Sequence, residues 1–150
     1  MDNEILEILQ KDARTTVEQI AVMIDKSVDE VKSAIKKLED EKVILGYSVI
    51  VNTEKLGDEE VLALIEVKVT PQRGQGFQKI AERIYRYSQV KSCYLMSGGF
   101  DFTVIIEGKK MKEVALFVAE KLAPVDGVLS TATHFVLKKY KDSGIEFEDS

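Results

Sequence analysis

The stretch 95-LMSGGFDFTV-104 holds the residues best suited to bind something small and charged. Gly98 and Gly99 leave backbone N–H groups open to close approach by a carboxylate. Asp101, when ionised, only accepts hydrogen bonds and suits an ammonium group. With Ser97, these residues offer anchors for both ends of an α-amino acid. Thr131 and Thr133 share one face of a later strand and could add hydroxyl contacts. A plainer reading stands beside this one. Gly98-Gly99 between two alternating apolar runs is a two-residue hairpin signal. Asp101 is then a rim residue paired with a nearby lysine, and the threonines are ordinary strand formers. The residues alone leave both readings open.

A second set is cationic. Lys32, Lys36 and Lys37 lie with Ser27 and Ser33 along one short segment. Lysines at that spacing can meet phosphates, and serines can reach base edges. A solvated helix face accounts for them equally well.

Other chemistries are poorly supplied. His134 is the only histidine and Cys93 the only cysteine. A Cys/His metal site, a Ser-His-Asp triad and an internal disulfide framework are all disfavoured. No catalytic residue and no cofactor is assigned. A lone cysteine points to a reducing compartment, and the cytoplasm is the expected location. No apolar run approaches the ~20 residues needed to span a bilayer, and 1-MDNEILEILQ-10 lacks the basic and apolar regions of a signal peptide. The formal net charge is −5, with eleven acidic and seven basic residues in the first fifty. Such a chain does not advertise nucleic-acid binding, so that reading rests on local geometry.

The elements that must position these residues fall into two groups. Over residues 1–46 the apolar period is helical. Ile5, Leu6, Ile8 and Leu9 form one stripe, with Asp2 as the expected N-cap. A second helix follows a capping box at Thr16/Gln19 or Thr15/Glu18. A third follows Ser27/Glu30 and buries Val31, Ala34, Ile35 and Leu38. The connection 25-DK-26 is very short, as in a helix-turn-helix, although a small three-helix bundle gives the same periodicity. These helices are few in apolar residues, so the unit is expected to lean on a partner. Residues 47–60 read as a strand, 47-YSVIV-51, and a linker. Residues 61–141 read as β-α-β-β-α-β, a ferredoxin-like order, with strands at 61–69, 91–97, 100–107 and 128–140 and helices at 75–87 and 110–122. Residues 142–150 are an acidic tail, expected to be mobile. The strands are apolar on both faces, and two helices cover only one. The other face is expected to meet a two-fold partner.

This α+β order, a winged-helix-type helix-turn-helix followed by a ferredoxin-like domain, resembles the Lrp/AsnC family of transcription regulators. The runs 5-ILEILQKDAR-14, 35-IKKLEDEKVILGY-47, 95-LMSGGFDFTVII-106 and 124-PVDGVLSTATHFVLKKYK-141 carry the likeness. The resemblance implies a regulator that binds double-stranded DNA as a homodimer or octamer. It also implies a small effector, an amino acid or a related molecule, held between effector domains. On that likeness Ser27, Lys32, Ser33, Lys36 and Lys37 face DNA, and Ser97, Gly98, Gly99, Asp101, Thr131 and Thr133 hold the effector. Two positions depart from the family pattern: Ala34 stands where an arginine is usual in the recognition helix, and Asp25 where the turn usually has glycine. They motivate an alternative, an effector-binding or assembly module with weak or lost DNA affinity. A third reading is an enzyme of the sirohaem decarboxylase type. It is poorly served by one histidine and by Arg73, Arg83 and Arg86, all in or beside one helix.

Overall fold

The computed structural model describes residues 1–58, 60–71, 74 and 76–147. The chain divides into two units, Met1–Ile50 and Val51–Ser150.

The first unit is three helices: α1 (Asp2–Lys11), α2 (Val17–Ile24) and α3 (Val28–Asp40). Their apolar stripes converge on Ile5, Ile20, Ala21, Val31, Ala34 and Leu38, all buried. The unit therefore has a core of its own. Both capping boxes form. Thr16 Oγ1 accepts from Gln19 N, and Gln19 Oε1 accepts from Thr16 N. Ser27 and Glu30 make the same reciprocal pair at 2.9 and 3.1 Å. Thr15 does not cap. Its hydroxyl instead donates to the Asp12 carbonyl. Asp2 is not a cap either: α1 starts one residue earlier than the sequence indicates, with Met1 as N-cap and Asp2 already helical. Asp25 adopts the left-handed conformation that the turn requires, φ 55° and ψ 53°. Aspartate tolerates this region better than most residues, which lets it stand in for glycine.

Residues 47–51 form no strand. The run is β-prone, yet among the described residues it pairs with no strand, and Val49 is 76% exposed. Strand propensity reflects packing against a neighbour rather than a backbone preference, so an unaccompanied run stays irregular. A one-turn helix follows, α4 (Thr53–Leu56).

The second unit is an antiparallel sheet with two helices. Its elements are β1 (Val61–Val69), α5 (Gly76–Tyr85), β2 (Val90–Leu95), β3 (Phe102–Gly108), α6 (Met111–Phe117) and β4 (Val128–Phe135), in sheet order β2-β3-β1-β4. This is the ferredoxin-like arrangement. Residue 75, assigned to the first of these helices from sequence, lies outside the described residues. The alternation along β1 sorts as expected. Ala63, Ile65, Val67 and Val69 are buried against α5 and α6, together with Phe102, Val104 and Ile106 of β3. Phe77 on α5 meets Phe102 edge to face at 6.1 Å. The helix after β3 is less regular than its periodicity indicates. α6 gives way to a π-helical turn at Val118–Leu122, which still buries Val118 and Leu122. Gly127, at φ 95°, lies so close to Ile80 that a side chain there would collide with it.

The last strand stops at Phe135 rather than running to Tyr140. The expected tail instead begins with a small hairpin, β5 (Lys141–Asp142) and β6 (Ile145–Glu146), turned through Ser143-Gly144, both at positive φ. Residues 148–150 of the expected tail lie outside the described residues.

The capping box at α3 has a pH signature. The Ser27 backbone N–H holds the Glu30 carboxyl below its ordinary range. A depressed folded-state pKa stabilises above the unfolded value, and that contribution is lost as pH falls through the folded one. Acid titration followed by circular dichroism should therefore show Glu30→Gln losing less stability than the parent as pH drops through the glutamate range.

Candidate functional site

The first candidate surface is the exposed side of α3. The capping box fixes where the helix begins, and the Val31, Ala34 and Leu38 stripe fixes which side turns inward. Lys32, Ser33, Lys36 and Lys37 are consequently exposed together. Ser27 sits at the N-cap, its hydroxyl oxygen engaged by Glu30 N at 3.1 Å. Lys36 is engaged too: its Nζ donates to Asp40 Oδ2 at 2.8 Å, a contact that raises its pKa. Among the described residues Lys32 and Lys37 have no ion-pair partner. Ala34 is 6% exposed and belongs to the core. An alanine there removes no surface contact, so the departure from the family pattern says nothing against DNA binding. Lys26, which the sequence reading passed over, is exposed immediately before the Ser27 cap. Its place in a two-residue turn gave no periodic signal.

The second candidate is the connection between β2 and β3. It is wider than a two-residue hairpin. Leu95 pairs with Phe102, Met96 N donates to the Asp101 carbonyl at 2.8 Å, and residues 97–100 form the loop. The reason lies in Asp101, which is tied to a third strand. Its backbone N donates to the Val67 carbonyl at 2.9 Å, and its Oδ2 accepts from Val69 N at 2.8 Å. Those bonds hold Asp101 on the end of β1 and leave four residues to close the turn. Among the described residues no lysine partners it. Gly98, at φ 136°, and Gly99 both face open space. Ser97, Gly98 and Gly99 are exposed. The loop thus leaves glycine backbone exposed a few residues from a braced carboxylate, and one Asp101 oxygen retains its lone pairs for a further donor.

Thr131 and Thr133 do share a face, each half-buried. They pair with Val67 and Ile65, so they lie on the helix-covered side of edge strand β4. β1 stands between them and β3, two strand spacings or about 10 Å. A single chain does not bring them to the glycine loop. His134 lies on the opposite face, 3.1 Å from Glu66 Oε2.

Comparison with known proteins agrees with this layout. A winged helix-turn-helix DNA-binding model matches residues 1–44, and an Lrp/AsnC ligand binding domain model matches residues 62–145. The chain belongs to the Lrp/AsnC family. It is 53% identical over 98% of its length to the HTH-type transcriptional regulator YugG of Bacillus subtilis, covering 89% of that protein. It is 31% identical over 93% of its length to the regulator LrpA of Pyrococcus horikoshii, covering 96% of it. A Neisseria meningitidis transcriptional regulator, solved as its L-methionine complex, shares the fold with a TM-score of 0.74 at 24% identity, over 94% of this chain and 90% of that one. This Lrp/AsnC chain is accordingly a DNA-binding transcriptional regulator and not an enzyme. The decarboxylase reading falls with that assignment. Arg83 of the Lrp/AsnC ligand domain, invoked for that reading, faces the Asp126 carbonyl at 3.4 Å, and Arg73 lies outside the described residues. No helix among the described residues is long and apolar enough to cross a membrane.

The bracing role of Asp101 is separable from any ligand. Asp101→Ala leaves the Val69 N–H without its acceptor and should cost about 1–3 kcal/mol in urea unfolding with no ligand present. Asp101→Asn keeps an acceptor and should cost less.

Proposed function

We propose that this regulator reads double-stranded DNA through α3 and responds to an amino acid held at the loop 97–101. Lys32, Ser33 and Lys37 make the exposed contacts, Ser27 sets the start of the helix, and Lys36 divides its charge between Asp40 and phosphate. The observation that carries the effector half is the pairing of open glycine backbone with a braced carboxylate. The two ends of an α-amino acid are an anion for the Gly98 and Gly99 N–H groups and a cation for Asp101. The L-methionine complex of the Neisseria regulator supports the same ligand class. A cytoplasmic setting suits such a ligand.

The reading includes a homodimer. The sheet face away from α5 and α6 carries Leu62, Leu64 and Ile105, half-buried with no helix over them. Sheet-on-sheet packing with a second copy would bury them. The unaccompanied run 47–51 offers that copy a further strand. An octamer needs additional contacts between such dimers.

DNA binding is tested by anisotropy titration against the gene's own upstream DNA at two salt concentrations. Lys37→Ala should weaken binding across sequences and lower the salt slope by about one. Lys36→Ala should do less, because its charge is already engaged. Absence of a specific complex at low salt would favour the alternative, an effector or assembly module with weak DNA affinity.

A thermal-shift screen over the proteinogenic amino acids tests the loop. A ligand present at 100 times its Kd should stabilise by about 2.7 kcal/mol. No shift with any of them sinks the amino-acid proposal. Sedimentation of the same sample should give at least a dimer mass, and a monomer mass would overturn the shared sheet face.

A further inference from the structure

The outer face of the sheet is not wholly apolar. Along β1 the residues that alternate with the buried ones, and so point away from α5 and α6, are Leu62, Leu64, Glu66 and Lys68. β1 is an inner strand, so Glu66 has neighbours on both sides, Thr103 of β3 and Ala132 of β4. His134 pairs across the ladder with Leu64, which places it on the same face and diagonal to Glu66. Its Nε2 lies 3.1 Å from Glu66 Oε2. Both side chains keep contact with water in the single chain, 58% exposed for His134 and 36% for Glu66.

Few other charges share that face. On β1, Lys68 is exposed and makes no ion pair among the described residues. On β3, Glu107 bonds Lys91 of β2 at 3.1 Å and raises the carboxyl of Glu60 above its ordinary range. On β4 the residues that alternate with His134's neighbours on this face are Ser130 and Ala132, both uncharged. Past the end of β4, Lys138 stacks over Tyr140. Glu66 and His134 are therefore each other's partner. With a neutral imidazole the pair carries the full charge of Glu66, and with an imidazolium it carries none. In water the difference is small, because solvent screens an exposed pair. Beneath a second sheet it is large, because a carboxylate taken out of water without a counter-charge is costly to bury.

We propose that Glu66 and His134 form a proton-dependent latch in the interface between two copies of this chain, closed when His134 carries its proton. The inference rests on the shared sheet face proposed above. The occupant is a second copy because that copy presents the same Leu62, Leu64 and Ile105 and the same pair, so a two-fold contact places two latches in one interface. Imidazole is the side chain that ordinarily changes charge between about pH 5 and 8, and this chain has one. Association that prefers the imidazolium takes up protons. It strengthens as pH falls through the imidazole range and weakens as pH rises through it. Assembly then answers to acidity through the sheet face, separately from any effector at the glycine loop.

The test is the dimer dissociation constant of the full-length protein, read by sedimentation over a dilution series at several pH values between about 6 and 8. The parent should dimerise about tenfold or more weakly at the upper end than at the lower. His134→Gln keeps a donor for Glu66 but cannot take the proton. It should be flat across the range and as weak as the parent at the upper end. Glu66→Gln should reverse the slope, because a proton on His134 then adds an unpaired charge to the interface. That reversal distinguishes a latch from an ordinary contact, whose loss would weaken the dimer equally at every pH. Both replaced side chains are more than a third exposed, so the single chain should tolerate either change, and circular dichroism checks that it does. A parent dimer whose affinity ignores pH overturns the latch and leaves the shared face standing. So does a parent-like slope in His134→Gln or in Glu66→Gln, which would trace to another group such as Glu60. A monomer at every pH overturns the shared face and the latch together.

Discussion

The register of β1 is the constraint on which the rest of the second unit depends. The strand has neighbours on both edges and helices on one face, so each of its residues has only one place to go. A slip by one residue would turn Glu66 and Lys68 into the helix-covered core and expose Ile65 and Val67. Burying those charges without partners would cost more than the core returns. Once the register is set, the Val67 carbonyl and the Val69 N–H stand at the strand's end, one to accept from Asp101 N and the other to donate to Asp101 Oδ2. The glycine loop inherits its position from that clasp. The irregular step in pairing between Lys68 and Val69 falls at the same place, where the ladder to β4 skips Leu129. Such irregularities bend a strand and re-aim its groups.

What was legible in the sequence were the features whose cause lies within a few residues. The capping boxes at Thr16 and Ser27 depend on a side chain meeting a backbone three positions away, and both formed. The faces of β1 and α3 follow from period alone. Features that need a distant partner were misread. The loop 97–100 looked like a two-residue turn because nothing local shows that Asp101 is bonded to β1, some thirty residues earlier. The run 47–51 has the composition of a strand, but strand formation also requires a neighbour, and among the described residues none pairs with it. Thr131 and Thr133 share a face, as their spacing indicates, while the strand order puts β1 between them and the loop of the same chain. Ala34 was weighed as a missing DNA contact although its place in the apolar stripe already put it inside.

An acidic unit can still present a cationic surface, because distance matters more than total charge. At physiological ionic strength charges more than about 8 Å apart on a surface are largely screened. A phosphate near α3 therefore responds chiefly to the charges within that distance of it. Within α3 the acids divide by position. Asp29 and Glu30 occupy the first turn, where they complement the helix dipole and complete the cap. Asp40 takes Lys36. Among the described residues Lys32 and Lys37 have no ion-pair partner. Helix architecture has thus used most of the carboxylates before any ligand arrives.

A ligand at the loop alters DNA binding only if it binds one assembly state better than another. Tight binding that is equal in both states shifts nothing. The clasp at Asp101 is suited to that task because it links three strands through one residue: Met96 just past the end of β2, Asp101 on the approach to β3, and Val67 with Val69 on β1. On the proposed reading, a guest ammonium at the second Asp101 oxygen would bear on the same carboxylate that holds the end of β1. The coupling has the same magnitude in both directions. DNA that selects one assembly must change the affinity of the loop for its amino acid by the same factor that the amino acid changes affinity for DNA. A site that held its ligand equally tightly in every assembly state would have a coupling factor of one in both directions, and would be a store rather than a sensor.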